Sequence, residues 1–172
     1  MKKFSEAVIN YITTSSLQFP SKVIWELSEI AEDDMGGTSG GIYSLGLAAA
    51  AQSLAGEKAI DILAWQRSLE SALQAISKYG GAEPGDRTML DTLHSALKAL
   101  RSGLKGGDAK KALTETIVAA EKGAKATITM MAKAGRAAYV SSEHLREEDA
   151  GAHAAALWTR AILSKIIKEL YA

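Results

Sequence analysis

Thr38 and Ser39 lie in a glycine-rich run, residues 35–41, at the start of a helix predicted at about 38–54. The start of a helix offers unpaired backbone N–H groups and a partial positive charge. Glycines let a phosphate approach that backbone closely, and the two hydroxyls add further donors. The run therefore suits an anion such as a nucleotide phosphate. On the residues alone, a simple turn between helices with a Thr or Ser cap is favoured, because the run lacks the Gly-Lys-Ser/Thr of a Walker loop.

A second candidate loop covers residues 80–91. Thr88, followed three residues later by Asp91, predicts a capping box at the start of a helix. Capping alone does not account for the loop's glycines, its proline and its Asp-Arg pair, which exceed what a reversal between two helices needs. The segment is therefore either a binding loop or an elaborate capped turn.

Two shorter segments follow later in the chain. Arg136, after Gly135, could reach a phosphate through its planar fork of donors, or it could be a cation that stabilises a helix C-terminus. Asp149 is a good N-cap for the last helix, and Ala150 and Gly151 behind it leave room for a flat group such as a nucleobase. Ordinary capping also explains this second segment.

The sequence predicts no catalytic residue and no metal ligand. The three histidines show no metal-ligand spacing, and no Ser-His-Asp or paired-carboxylate constellation stands out. There are no cysteines, which excludes disulfides, thiolate zinc sites and thiol catalysis. The three tryptophans are predicted to be core or interface residues: Trp25, Trp65 and Trp158.

The composition predicts one globular domain, residues 1–172, that is cytoplasmic. Hydrophobic residues make up 47%, and 20 Lys and Arg balance 20 Asp and Glu. That balance gives no electrostatic reason to expect nucleic acid or an anionic membrane as a partner. The first residues lack the apolar run of a secretion signal, and the most apolar stretch, 42–55, is too short to span a bilayer.

Helical periodicity predicts an all-α fold of about seven antiparallel amphipathic helices, as a bundle or barrel. The fourth helix is predicted at 58–79, with Leu63 facing inward. The sixth is predicted at 109–133, with Ile128 inward and Gly135 as its C-terminal cap. The last helix is predicted to follow Asp149 and to carry an apolar stripe that consists of Ala154, Leu157, Ala161, Ile162 and Leu170.

The chain resembles the L domain of the dihydroxyacetone kinases in four segments, which occur in the family's order: Met35-Gly-Gly-Thr-Ser-Gly-Gly-Ile-Tyr43, Gly85-Asp-Arg-Thr-Met-Leu-Asp91, Gly135-Arg-Ala-Ala-Tyr139 and Asp149-Ala-Gly-Ala152. The resemblance covers essentially the whole chain. It implies a barrel of eight amphipathic helices that binds ATP or ADP with magnesium at one end.

The resemblance also implies nucleotide-binding residues, which are Thr38, Ser39, Gly80, Thr88, Met89, Arg136, Asp149, Ala150 and Gly151. The first two would contact phosphates, and the third would border the nucleotide. The next two would flank the adenine or its sugar, and the rest would close the site. We expect these turns to meet at one end of the bundle.

Two departures from the family pattern bear on function. Ala150 stands where the family usually has proline, which costs some rigidity. Residues 1–12 resemble the helix that follows the family's aspartate-rich magnesium loop, so the chain is expected to lack that loop and the helix before it. Phosphoryl transfer depends on the metal, so we expect the chain alone to be inactive. A missing helix would also expose an apolar seam, which a partner or a second copy would cover.

Two functions follow from the resemblance. The first is the nucleotide-binding component of a dihydroxyacetone kinase, which passes a phosphoryl group to dihydroxyacetone held on a separate K domain. The second is a non-catalytic binding or regulatory module that pairs with a kinase subunit. An aspartate-rich loop encoded upstream of Met1 would favour the first function.

Overall fold

The computed structural model describes residues 2–171, and of these all side chains except that of Ser142. Within that range the chain forms α-helices and short 3-10 turns without any strand, which confirms the all-α prediction. The seven α-helices of this range are α1 (Lys2–Thr14), α2 (Pro20–Met35), α3 (Gly37–Ala55), α4 (Ile62–Gly80), α5 (Met89–Lys105), α6 (Ala109–Ala126) and α7 (Ala150–Tyr171). None of these helices combines the length and the apolar character needed to cross a bilayer.

The chain divides into two compact units, Met1–Gly80 and Gly81–Ala172. That residues 1–172 form one domain stays a prediction. In the first unit α3 and α4 run antiparallel. A Cβ placed on Gly46 would lie 2.9 Å from Cδ1 of Ile76, and the Ser68 hydroxyl donates to the Ala50 carbonyl at 3.2 Å. The start of α3 therefore lies at the same end of this helix pair as the end of α4.

The connection between α3 and α4 is held by an ion pair. The Arg67 guanidinium donates to both carboxylate oxygens of Glu57, from Nε at 2.6 Å and from Nη2 at 2.7 Å. That hydrogen bond lowers the pKa of the Glu57 carboxyl below its usual range. Because both side chains are partly exposed, the ion pair adds little to the free energy of unfolding. Its main effect is to hold the turn between α3 and α4 in one conformation.

In the second unit α6 packs antiparallel to both α5 and α7. Gly123 near the end of α6 lies against the start of α5, where an added Cβ would sit 2.8 Å from the Asp91 carbonyl oxygen. On the other side, Arg160 of α7 pairs with Glu121 of α6 at 3.5 Å. The starts of α5 and α7 and the end of α6 consequently share one end of this unit.

The boundaries of two helices differ from the prediction. Helix α4 begins at Ile62, four residues later than predicted, because the Asp61 carboxylate accepts the Ala64 N–H at 2.8 Å and caps it there. Helix α6 ends at Ala126, seven residues earlier than predicted. The buried Thr127 hydroxyl donates back to the Ala124 carbonyl at 2.6 Å as the chain leaves the helix. Gly135 is therefore not the cap of α6.

Several apolar side chains predicted to face inward are exposed. Leu63 on α4 and Ile128 after α6 are 45% and 42% exposed. On α7 the predicted stripe is wrong, since Ala152, Ala155 and Ala156 form the buried face. Four large apolar side chains of α7 are exposed instead, namely Leu157, Trp158, Ile162 and Leu170. About two-fifths of each tryptophan is exposed, so Trp25, Trp65 and Trp158 are not core residues.

Candidate functional site

The start of α5 is a complete capping box, as predicted. Leu90 donates its N–H to the Thr88 hydroxyl at 3.2 Å, while Asp91 reaches back over the loop. One Asp91 oxygen accepts the Gly85 N–H at 2.5 Å and the other accepts the Thr88 N–H at 2.8 Å. Asp91 is buried, so its carboxylate fixes both the helix start and the glycine turn before it.

The start of α7 is built around Asp149. Its carboxylate accepts the Ala152 N–H at 2.9 Å, which is the predicted N-cap bond. Its own N–H donates to the Thr127 hydroxyl at 2.8 Å, which ties this turn to the end of α6. Ala150 is exposed, and Gly151 is half-buried beside α5.

The two helix starts lie against each other. A Cβ on Gly151 would sit 3.6 Å from Cβ of Met89 and 3.1 Å from the Asp149 carboxylate. One turn further along, the Thr92 hydroxyl donates to the Ala152 carbonyl at 3.1 Å. The structure therefore brings together five of the predicted residues in one patch, the α5–α7 corner, which consists of Thr88, Met89, Asp149, Ala150 and Gly151.

Arg87 is the residue at this corner that the sequence reasoning did not select. Its guanidinium is 4% exposed and donates to the Thr127 and Glu147 carbonyls, at 3.1 and 2.8 Å. A third nitrogen lies 3.8 Å from Asp149. The sequence showed only a charged residue between a glycine turn and a helix cap. The sequence alone could not indicate that the Thr127 and Glu147 carbonyls accept from this residue.

The start of α3 places Thr38 and Ser39 in the first turn of a helix, both exposed. Gly36 precedes them with a φ of 67°, and no described side chain caps this helix. Side chains cap the starts of α4, α5, α6 and α7, whereas α2, like α3, has no side-chain cap. The first-turn N–H groups of α3 consequently have no side-chain cap, and binding of an anion there stays a prediction.

Gly80 is the exposed last residue of α4. The antiparallel register of α3 and α4 puts it at the same end of the first unit as Thr38 and Ser39. The next residue, Gly81, has a φ of 68° and open space where a side chain would be, so the backbone is accessible where the second candidate loop begins. The structure thus groups three of the predicted residues in the first unit.

Arg136 is exposed at the start of the 3-10 turn Arg136–Tyr139, behind Gly135 with a φ of 66°. Since α6 ends ten residues earlier, at Ala126, the alternative that Arg136 stabilises a helix C-terminus is wrong. The side chain stands on the connection between α6 and α7. Unlike Asp91 and Asp149, Arg136 takes no part in capping a helix.

No described group of three or more His, Asp and Glu side chains is arranged to hold a metal ion. The carboxylates of Asp91 and Asp149 accept backbone N–H groups, and that of Asp149 also lies 3.8 Å from the Arg87 guanidinium. His94 is half-buried on α5 with its Nδ1 atom unpaired among the described residues, and His153 contacts Glu148 at 2.7 Å. The described residues instead provide glycine-rich turns whose backbone is accessible.

The chain is similar to known proteins over most of its length. The family model of the DAK2 domain matches residues 1–164. Human triokinase/FMN cyclase is 44% identical over 145 residues, and dihydroxyacetone kinase 2 of Saccharomyces cerevisiae is 39% identical over 146 residues. Both alignments cover 84% of this chain, and they cover 25% and 23% of the two relatives.

A solved structure is similar as well. The crystal structure of the dihydroxyacetone kinase of C. freundii superposes with a TM-score of 0.66 at 29% identity, over 87% of this chain and 24% of that one. The chain therefore spans about a quarter of the length of the relatives that it matches.

Proposed function

Because the chain belongs to the DAK2 domain family, we propose that it is the ATP- or ADP-binding component of a dihydroxyacetone kinase. The observation that carries the proposal is the α5–α7 corner, where two segments about 60 residues apart in sequence meet with Met89 against Gly151. An apolar side chain beside a small residue at two helix starts suits the flat face of an adenine.

The remaining predicted residues keep, in this proposal, the roles that the resemblance implies for them. Thr38 and Ser39 would contact the phosphates through the uncapped start of α3, and Gly80 would border the nucleotide. Arg136, exposed and behind a glycine, would pair with a phosphate through its guanidinium fork. Asp149, Ala150 and Gly151 would enclose the base or its sugar.

The acceptor in this proposal is dihydroxyacetone held on a K domain, and the phosphoryl group passes to its hydroxyl. Magnesium serves such transfers by neutralising charge on the phosphates. Among the described residues, no group of three or more His, Asp and Glu side chains is placed to hold a magnesium ion. We accordingly assign this chain nucleotide binding and expect it to be inactive alone, even with a K subunit and ATP–magnesium.

A non-catalytic module that pairs with a kinase subunit is the second candidate. The exposed apolar side chains of α7 favour it, because Trp158, Ile162 and Leu170 are 41–71% exposed. Exposed apolar surface of this kind is typical of interaction sites. The two candidates differ in whether the chain binds a nucleotide by itself.

A nucleotide titration with a charge variant tests the proposal. Calorimetry with ADP and ATP should show weak binding by the wild type that is indifferent to magnesium. Ser39→Asp suits the positive end of the α3 dipole, so the fold should persist, while its charge repels a phosphate. We expect Ser39→Asp to lose binding.

The control is Ser21→Asp, which adds the same charge to the first turn of α2 and should bind as the wild type does. Equal binding by the wild type and Ser39→Asp would remove α3 from the site. Absence of nucleotide binding by the wild type would favour the module. Phosphorylation of dihydroxyacetone above a blank without protein would show that the chain is not inactive.

A further inference from the structure

Arg87 has a backbone conformation that its side chain makes unfavourable. Its φ is 63°, and it is the single non-glycine residue with positive φ among the described residues. Side chains disfavour this left-handed region, so glycine is the ordinary choice there. Gly85, two residues earlier, shows that the same turn does use glycine at positive φ. The arginine side chain must therefore supply something that offsets its backbone strain.

The contacts of the guanidinium show what it supplies. Nε donates to the Thr127 carbonyl at the end of α6, and Nη2 donates to the Glu147 carbonyl ahead of α7. Nη1 lies 3.8 Å from the Asp149 carboxylate. A planar fork with several donors can serve three acceptors at once, which an ammonium group cannot do in the same geometry.

The acceptors of Arg87 are also connected to one another. The Thr127 hydroxyl accepts the Asp149 N–H at 2.8 Å, while the carbonyl of the same threonine accepts from Arg87. Arg87, Thr127 and Asp149 thus form a closed network beneath the α7 turn. Thr127 is fully buried and Arg87 nearly so. Buried networks with every group paired hold their members in a single arrangement.

We propose that Arg87 is a positioning residue for nucleotide binding. It holds residues 149–151 against Met89 without touching the ligand, because its guanidinium is buried below the turn. The inference rests on the proposed function for the nucleotide, whereas the anchoring of the turn can be measured without any ligand.

Three variants of Arg87 distinguish the contribution of its side-chain contacts from the effect of its positive φ. Arg87→Gly removes the side chain and relieves the positive φ, Arg87→Ala removes the side chain alone, and Arg87→Lys keeps the charge. The matched control is Arg160→Ala, which breaks an exposed ion pair of the same unit. NMR gives two readouts: the ADP dissociation constant from amide shifts, and hydrogen exchange at the Asp149 and Ala152 N–H groups.

We expect both Arg87→Gly and Arg87→Ala to weaken ADP binding roughly tenfold or more, since hydrogen bonds to charged groups carry that much free energy. Exchange at Asp149 and Ala152 should quicken in both variants. Arg87→Lys should fold like the wild type and recover only part of the affinity, and Arg160→Ala should match the wild type in both readouts.

Wild-type affinity and exchange in Arg87→Gly would overturn the proposal, because the turn would then need only a residue that tolerates positive φ. Wild-type ADP affinity in Arg87→Lys would show that the planar guanidinium is not required. If the wild type binds no ADP, the proposed function fails. Quicker exchange in Arg87→Gly would even then show that Arg87 anchors the α7 turn.

Discussion

At the scale of single residues, Asp91 does more than cap a helix. A normal N-cap satisfies one or two N–H groups at an exposed helix start, as Asp108 does with the Lys111 N–H at 2.9 Å. The buried Asp91 carboxylate instead accepts the Thr88 N–H at the start of α5 and the Gly85 N–H in the preceding glycine turn. Its removal would leave the Gly85 and Thr88 N–H groups without their carboxylate partner.

We predict that Asp91→Ala lowers the free energy of unfolding by about 2 kcal/mol or more, because two part-buried hydrogen bonds to a carboxylate are lost together with the capping box. Asp108→Ala, the matched control, should cost about 1 kcal/mol. Urea denaturation followed by circular dichroism measures both values. If the two variants lose the same stability, the bridge across the loop contributes nothing beyond capping.

Residue-scale features were predictable from the sequence where the contact is local. Thr88 and Asp91 are three residues apart, and their capping box was predicted correctly. The Asp149 cap is local for the same reason. Arg87 could not be assigned, because its two carbonyl acceptors lie 40 and 60 residues further along the chain. Only the folded arrangement of α5, α6 and α7 brings these groups within reach.

At the scale of helices, the end of α6 and the buried face of α7 were not predicted correctly. Helix α6 ends at Ala126, where Thr127 uses its hydroxyl for both the Ala124 carbonyl and the Asp149 N–H. The second of these contacts is tertiary and leaves no local pattern. On α7 the small alanines form the buried face and the large side chains do not. Apolar periodicity locates a stripe, but it does not say which stripe has a neighbour.

The spacing between helices depends on glycines, and three of them should respond differently to alanine. Gly123→Ala places a Cβ within 3 Å of the backbone of α5, and we expect a loss of about 1–3 kcal/mol from overpacking. Gly46→Ala meets only the end of the Ile76 side chain, which can turn away, so its loss should be smaller. Gly41→Ala meets nothing within 4 Å and should stabilise α3 by about 0.5–1 kcal/mol.

Thermal and chemical unfolding of the three glycine variants measure this order. Gly41→Ala serves as the control, because it makes the same chemical change without a neighbour. A Gly123→Ala protein as stable as the wild type would show that α5 and α6 can separate at little cost. It would contradict the close packing that sets the end of α6 beside the start of α5.

At the scale of the whole molecule, the apolar surface of α7 is the feature that the fold itself leaves unexplained. Trp158, Ile162 and Leu170 recur at multiples of four residues, which places them along one side of the helix, and they are 41%, 55% and 71% exposed. The formal net charge is zero, so no overall repulsion keeps two copies apart. Both properties favour association through this side of α7.

We therefore predict that the chain self-associates when no kinase subunit is present. Its sedimentation coefficient should rise with protein concentration. Ile162→Glu, which places a charge within the exposed apolar surface, should sediment as a monomer at every concentration with unchanged helical circular dichroism. Val118→Glu is the control, because Val118 is similarly exposed on α6 and should leave association intact. A wild type that stays monomeric at every concentration would contradict self-association through this side of α7.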